Sequence, residues 1–511
     1  MIKKGRSKLL RPKSIFQKRF EMIQIIVNSE MFSYDMYHIT KAFYPNESYE
    51  QIYEETSEYA VCIKGNLDAQ YDFLVHQSEL ENIEERKLKK RYVNLKLYDW
   101  LTEGAGKELA WGILTGVRPT KLMMTLIESG MTDDEVKAWM QKNYRISDAK
   151  AELGIRVAKK EKSLLDQLDY ENGYSLYIGI PFCPSICSYC SFSSYPIGLW
   201  KKRVDEYVDA VCKELSYIGK IAKQKGKKLN TVYIGGGTPT TLEAGQMDRL
   251  LTHLESNFSF EDLKEITVEA GRPDSITREK LEVLKAHNIG RISINPQTMQ
   301  QKTLREIGRW HTVEDIKEVY ALARKLGFDN INMDLIAGLP GETAEDMQDT
   351  LEQIKVLAPD SLTVHALAMK RASRLTKEQK EHGVVDDNTA EIATTLSKMI
   401  DLAADCAKEM DLEPYYLYRQ KNIAGNFENV GYAKVDKAGI YNILIMEEKQ
   451  SIIAVGAGAS TKIVLPEDKA FIDPKTGNKK NIVRTENVKD VAEYINRIDE
   501  MIERKGEWLW H

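Results

Sequence analysis

Three cysteines fall within eight residues of a 511-residue chain, at Cys183, Cys187 and Cys190, in the run YIGIPFCPSICSYCSFSSYP from Tyr177 to Pro196. Thiols clustered in a chain that shows no secretory leader stay reduced, so the spacing points to a metal or redox centre and not to a disulfide. The set is one ligand short. Structural zinc wants four closed ligands, and the nearest histidines along the chain, His76 and His253, are remote. An iron–sulfur cluster normally takes four cysteines too. Three thiolates can nevertheless hold three irons of a [4Fe–4S] cube and leave the fourth open to a substrate. Zinc with a distant fourth ligand is the competing reading.

Other polar residues interrupt apolar runs further on. GGGTPT spans Gly235 to Thr240. Its glycines let backbone approach a ligand, and adjacent N–H groups can face a carboxylate- or amine-bearing molecule; a plain tight turn is the alternative. It has neither the lysine of a phosphate loop nor the spacing of a dinucleotide fingerprint. Glu269 closes ITVEA, Gln297 follows RISINP with Arg309 twelve residues later, and Asp334 sits inside NINMDLIAGL. A carboxylate in an apolar run needs a partner; that partner is either a ligand or a salt bridge.

These residues must be positioned by regular elements. Apolar runs at 175–182, 231–237, 265–270, 291–296, 330–339 and 361–368 alternate with helical patterns at 201–225, 243–256, 277–288, 312–326 and 343–357. Strand–helix alternation of this kind signals parallel βαβ units. Polar, Gly- or Cys-rich segments follow the first five runs. That distribution predicts a barrel with its chemistry at the strand C-termini, because a doubly wound sheet concentrates its signature at one switch point. The expected architecture is α/β: a partial, TIM-like (β/α)6 barrel over 171–385.

A basic tail or upstream extension, 1–21, carries eight Lys/Arg. Residues 22–170 predict an N-terminal α/β domain without an assigned role. Its strands are MIQIIVN and YAVCIKG around a helix in MFSYDMYHITKAFY, followed by a charged helical segment and a Gly/Pro loop before a further helix in WGILTGVRPTKLMMTLIESG. Residues 386–511 predict an α+β extension capping the barrel. It comprises a helix to about 410, strands in YYLYRQKN and throughout GIYNILIMEEKQSIIAVGAGASTKIVL, and one final amphipathic helix. Cys212 and Cys406 fall in helical patterns and read as buried apolar residues.

The net charge of −5 argues against a general nucleic-acid binder. No apolar run reaches membrane-spanning length, and no leader is apparent; both predict a cytoplasmic protein without a membrane partner.

The C-x3-C-x2-C spacing at the end of a first strand, with Tyr189 before the last cysteine, resembles the radical S-adenosylmethionine (SAM) superfamily. The resemblance implies one [4Fe–4S] cluster on Cys183, Cys187 and Cys190, with SAM chelating the open iron and cleaved to a 5′-deoxyadenosyl radical. From about 175 to 460 the chain further resembles the oxygen-independent coproporphyrinogen III oxidase (dehydrogenase) family, in YIGIPFC, GGGTPT, DLIAGLPGET and AVGAGAS. It implies SAM contacts at Tyr177, Gly236, Gly237 and Thr238, and a SAM-binding region lined by Glu269, Gln297, Arg309, Asp334 and Ala368. WGILTGVRPTKL and YYLYRQKNIAGN resemble the HemZ-type branch over nearly the full length.

The implied function is oxidative decarboxylation of coproporphyrinogen III to protoporphyrinogen IX in heme biosynthesis, with a porphyrinogen substrate and a reduced electron-donor protein as partners. Four substrate carboxylates call for cations at the barrel mouth. Lys370, Arg371 and Arg374, with His365 nearby, are the candidates, a solvated basic turn being the alternative. One departure concerns the substrate. The best-described oxidases carry a Cys-x-Cys continuation at the third cluster cysteine; here Ser191-Phe192 follows, closer to the heme-chaperone relatives. A heme-binding chaperone, or another radical SAM reaction, is the alternative.

Overall fold

The computed structural model describes residues 22–510 except 56, 66, 68–71, 117, 193, 368–388, 420–426 and 473–478. The chain divides into two compact units, Met1–Thr115 and Gly116–His511.

In the first unit, four strands lie in the order Tyr49–Tyr53, Ile23–Val27, Tyr59–Lys64, Phe73–His76 among the described residues. Ile23, Ile25 and Val27 alternate inward, as a half-buried strand requires. The helix Glu30–Phe43 buries Phe32, Met36, Ile39 and Phe43; that spacing makes one apolar stripe. The charged segment becomes the helix Arg86–Ala105, which ends at Gly106 with φ 62, the left-handed cap that glycine favours. Its Lys90 pairs with Asp35 at 2.8 Å.

The second unit is built on the expected parallel strands, β1 (Gly173–Ile180), β2 (Lys228–Gly236), β3 (Glu265–Gly271), β4 (Arg291–Ile294), β5 (Ile331–Ala337) and β6 (Ser361–Ala366). Each pairs parallel with the next in chain order. Helices Val204–Gln224, Ala244–Asn257, Arg278–Ala286, Val313–Lys325 and Ala344–Leu357 connect them. Leu176, Ile178, Val232, Ile234, Val268, Ile292, Met333 and Leu335 form buried core on the strands. Their neighbours along the strands are largely polar: Ser175, Thr231, Thr267, Ser293, Asn332 and Thr363. Alternation along a strand separates these two sets onto opposite faces.

The partial barrel leaves two edges, and the C-terminal extension completes both. It does not simply cap the barrel. β7 (Glu413–Arg419) and β8 (Glu428–Ala433) join beyond β6, while β9 (Ser451–Val455), β10 (Ser460–Val464) and β11 (Ile482–Glu486) join beyond β1. β9 runs parallel to β1, and β8 antiparallel to β6. Backbone groups at an open edge need partners, and these strands supply them.

Three further differences have physical causes. The expected boundary near 170 lies inside the larger unit, because Leu165 and Leu168 pack into one cluster with Tyr415, Tyr416, Ile443 and Leu444. Residues Ile440–Glu447, expected as strand, are helical. Glu265 on β3 accepts the N–H groups of Ile440 and Tyr441, which have no partner within the helix. The final helix is two, Val491–Asn496 and Ile498–Gly506, interrupted at Arg497. Among the described residues, no helix is long and apolar enough to cross a membrane.

Candidate functional site

The cysteine loop leaves β1 and is tied down along its length. Ser188 N–H donates to Ile307 O at 3.1 Å, Cys190 N–H to Cys187 O at 3.1 Å, and Tyr195 N–H to Pro181 O at 2.8 Å. Cys183 and Cys187 are buried and Cys190 half-buried. All three line one cavity, about 1160 Å³ including its open mouth. Gly236, Gly237, Thr238, Glu269, Gln297, Arg309, Asp334 and His365 share its wall.

The glycine turn does not work as its composition suggested. Gly237 N–H donates to Ile180 O and Thr238 N–H to Phe182 O, both at 2.7 Å, and Gly236 N–H bonds Glu269. The expected cradle of N–H groups is therefore already occupied by the protein. The glycines serve close approach instead. A Cβ on Gly237 would meet Phe182 O at 2.5 Å and Cys183 Sγ at 3.0 Å, and Gly236 holds φ +112, a conformation L side chains rarely adopt. The turn lets β2 lie against the cysteine loop, and Thr238 Oγ1 then reaches Cys183 Sγ at 3.5 Å.

Glu269 is anchored by Tyr233, whose hydroxyl donates to Oε1. Burial pushes its carboxyl up to about 7, against the pull of Tyr233 and with the push of Asp334. Gln297 has φ 69, uncommon for a residue with a side chain. Two bonds to β5 hold it there, from its own N–H to Asp334 O and from Ile336 N–H to its carbonyl, both at 2.9 Å. Arg309 Nη1 donates to Asn295 O at 2.5 Å. Gln297 Oε1 and Arg309 Nε are buried and have no partner among the described residues, although such groups are normally satisfied.

Asp334 Oδ1 accepts from Asn332 Nδ2 at 2.7 Å. Its Oδ2 lies 3.9 Å from His365 Nε2, and His365 Nδ1 is 3.2 Å from the Tyr418 hydroxyl. Burial opposes ionisation of Asp334, yet His365, Asn332 and Thr363 hold its carboxyl below the usual range.

Tyr177 lies behind the wall, its hydroxyl 3.3 Å from where a Cβ on Gly236 would sit. It is not on the cavity wall; its ring stacks with Tyr233 at 6.3 Å and Tyr441 at 6.4 Å. Ala368, Lys370, Arg371 and Arg374 lie outside the described residues. Sequence reasoning missed Ser185, Arg272, Asn295 and Tyr418 on the wall. An arginine placed directly after the apolar run of β3 was the available signal for Arg272. Tyr418 had none, since it comes from β7 in the extension.

The residues fit the cofactors the spacing implies. The donor set is three soft thiols, the kind that suits an iron–sulfur cluster. The orphaned Gln297 carbonyl and Arg309 N–H offer an acceptor and a donor to a polar ligand in the same cavity.

A family model described as the radical SAM superfamily matches residues 177–354. The oxygen-independent coproporphyrinogen-III oxidase-like protein HemZ of Bacillus subtilis is 42% identical over 439 residues, 86% of this chain and 84% of that protein. The heme chaperone HemW of Bacillus subtilis is 38% identical over 197 residues; the match spans 38% of this chain and about half, 51%, of HemW. The solved structure of coproporphyrinogen III oxidase (HemN) from Escherichia coli, a radical SAM enzyme, superposes with a TM-score of 0.50 at 21% identity. It covers 67% of this chain and 72% of that one, and shares the fold.

Proposed function

This chain belongs to the oxygen-independent coproporphyrinogen-III oxidase-like family of radical SAM proteins, and from that membership we propose that it oxidatively decarboxylates coproporphyrinogen III to protoporphyrinogen IX. The observation that carries the reading is the convergence of the three thiols, the two orphaned polar groups and the Asp334–His365–Tyr418 chain on one cavity. When bound, a [4Fe–4S] cluster on Cys183, Cys187 and Cys190 together with SAM supplies a radical that removes hydrogen from an unactivated carbon.

The chain's own residues bind, orient and exclude water. Gln297 and Arg309 hold the polar end of SAM, and Glu269 accepts from a hydroxyl or ammonium. His365 and Tyr418 face the substrate side, with Lys370, Arg371 and Arg374 following β6 in sequence to meet propionates. Removal of one hydrogen atom and release of CO2 from each of two propionates, with one electron from each passing to an external one-electron acceptor, leaves two vinyl groups. A reduced protein supplies electrons to the cluster.

A second reading, heme binding and transfer without decarboxylation, is favoured by Ser191-Phe192. Both line the cavity, and Phe192 is 71% exposed; an exposed ring suits a flat apolar ligand. Anaerobic reconstitution with iron, sulfide, reductant and SAM, with coproporphyrinogen III added to one sample and heme to a second, separates the two. Protoporphyrinogen IX by mass, with two CO2 per molecule, is expected. Stoichiometric heme uptake with no CO2 would replace the first reading by the second.

A further inference from the structure

Arg272 is 3% exposed and follows β3 immediately, after Gly271 turns the chain at φ +68. Its guanidinium divides between two loops. Nε and Nη2 donate to Asp274 Oδ1 and Oδ2 at 3.0 and 2.6 Å. Nη1 donates to Ser185 O at 2.9 Å and to Ser185 Oγ at 2.8 Å, and stands 3.9 Å from Cys187 Sγ. Ser185 Oγ donates onward to Gly308 O at 2.8 Å, and His311 Nδ1 lies 3.8 Å from Asp274 Oδ1. A buried arginine is costly unless paired, and here the pairing spans the cysteine loop, the turn after β3 and the 307–311 segment.

We propose that Arg272 is a positioning residue that holds the cysteine loop in its ligating shape and sets a fixed positive charge beside Cys187. This rests on the cluster reading above. Asp274 grips one edge of the planar fork, so the opposite edge is aimed at Ser185 and Cys187. The bidentate grip is one that lysine cannot reproduce. Cys183 Sγ has the neutral Thr238 hydroxyl at 3.5 Å, whereas Cys187 has the Arg272 guanidinium at 3.9 Å and Arg309 beside it, so the positive charge is concentrated at Cys187. A group that touches a ligand's sulfur tunes a metal centre through hydrogen bonds and through local charge. A positive charge next to a thiolate ligand favours the reduced state, which is the state that delivers an electron to SAM.

The test compares wild type with R272Q, R272K and R272A in the full-length protein after anaerobic reconstitution. It reads iron and sulfide per chain, far-UV circular dichroism, and midpoint potential by EPR-monitored titration. R272Q is expected to fold and load but to shift the reduction equilibrium about tenfold toward the oxidised state, 59 mV for a one-electron couple. R272K should recover most of that shift, because charge returns, while loading more slowly because the fork does not. R272A should lose at least half of the bound iron. A loaded R272Q with the wild-type potential, or an R272A that loads fully, overturns the inference. Wild type that takes up no iron overturns the cluster reading itself, and this inference with it.

Discussion

The Tyr233 hydroxyl donates to Glu269 Oε1 inside the barrel, so the carboxylate on β3 is held by a neutral donor and not by a cation. Glu265, two turns of the pleat earlier on the same strand, is also anchored by neutral groups, the Thr267 hydroxyl and the first N–H groups of Ile440–Glu447. The ring of Tyr441 from that helix stacks on Tyr233 at 4.5 Å and 19°. The extension therefore supports the site from within the barrel.

The first prediction follows from Glu269. Its folded value, about 7, lies above the ordinary 4.5 because burial disfavours the charge. The folded state thus binds the proton more tightly than the unfolded state does, and stability falls as pH rises between the two values. Above pH 7 the penalty is fully present, at about 3 kcal/mol. Glu269→Gln should melt with wild type below pH 4.5 and a few degrees higher above pH 7, by calorimetry on the ligand-free protein. Parallel pH profiles for the two proteins would contradict the assignment.

The cysteines should separate cleanly. Cys183→Ala, Cys187→Ala and Cys190→Ala are each expected to keep native circular dichroism and lose the iron–sulfur absorbance after reconstitution. Cys212→Ala and Cys406→Ala should load normally, since both thiols are buried on helices. Retained absorbance in a loop variant would remove that cysteine from the ligand set.

Gly237→Ala should destabilise the turn by about 1–3 kcal/mol, the usual cost of forcing a methyl into packed space, and reduce iron loading, because the new Cβ meets the cysteine loop itself. Gly245→Ala is the control. It sits in the helix Ala244–Asn257 with nothing within 4 Å of the new Cβ, and should stabilise by about 0.5–1 kcal/mol. Urea denaturation and iron content report both outcomes.

Tyr441→Ala removes the ring stacked on Tyr233 and should cost about 3–5 kcal/mol, the range for deleting a buried aromatic. A Tyr441→Phe variant keeps the stack and should lose less than a third of that. Equal losses in denaturant titrations would mean that the hydroxyl, and not the ring, carries the contact.

Much of the barrel was legible because its elements are local. Runs such as TVYIGGG and EITVEA carry their own strand signal, and Thr312 and Thr343 cap their helices through Asp315 and Asp346 three residues on. Ile440–Glu447 misled because its apolar composition suits either a strand or a helix. Glu265, 175 residues earlier, satisfies its first N–H groups. Tyr418 and Arg272 were missed for a similar reason: their neighbours, His365 and Cys187, lie 53 and 85 residues away in sequence.

The sequence alone determined the spacing of the cysteine loop and the order of the six strands, because spacing and alternation are properties of neighbouring residues. Tertiary structure alone decided what those residues do to one another. It bonded the Gly236 and Gly237 N–H groups to Glu269 and Ile180, left Gln297 and Arg309 with unmet polar atoms, and placed Arg272 beside Cys187. Hydrogen-bond satisfaction and electrostatics act through space, between segments whose separation no local pattern records.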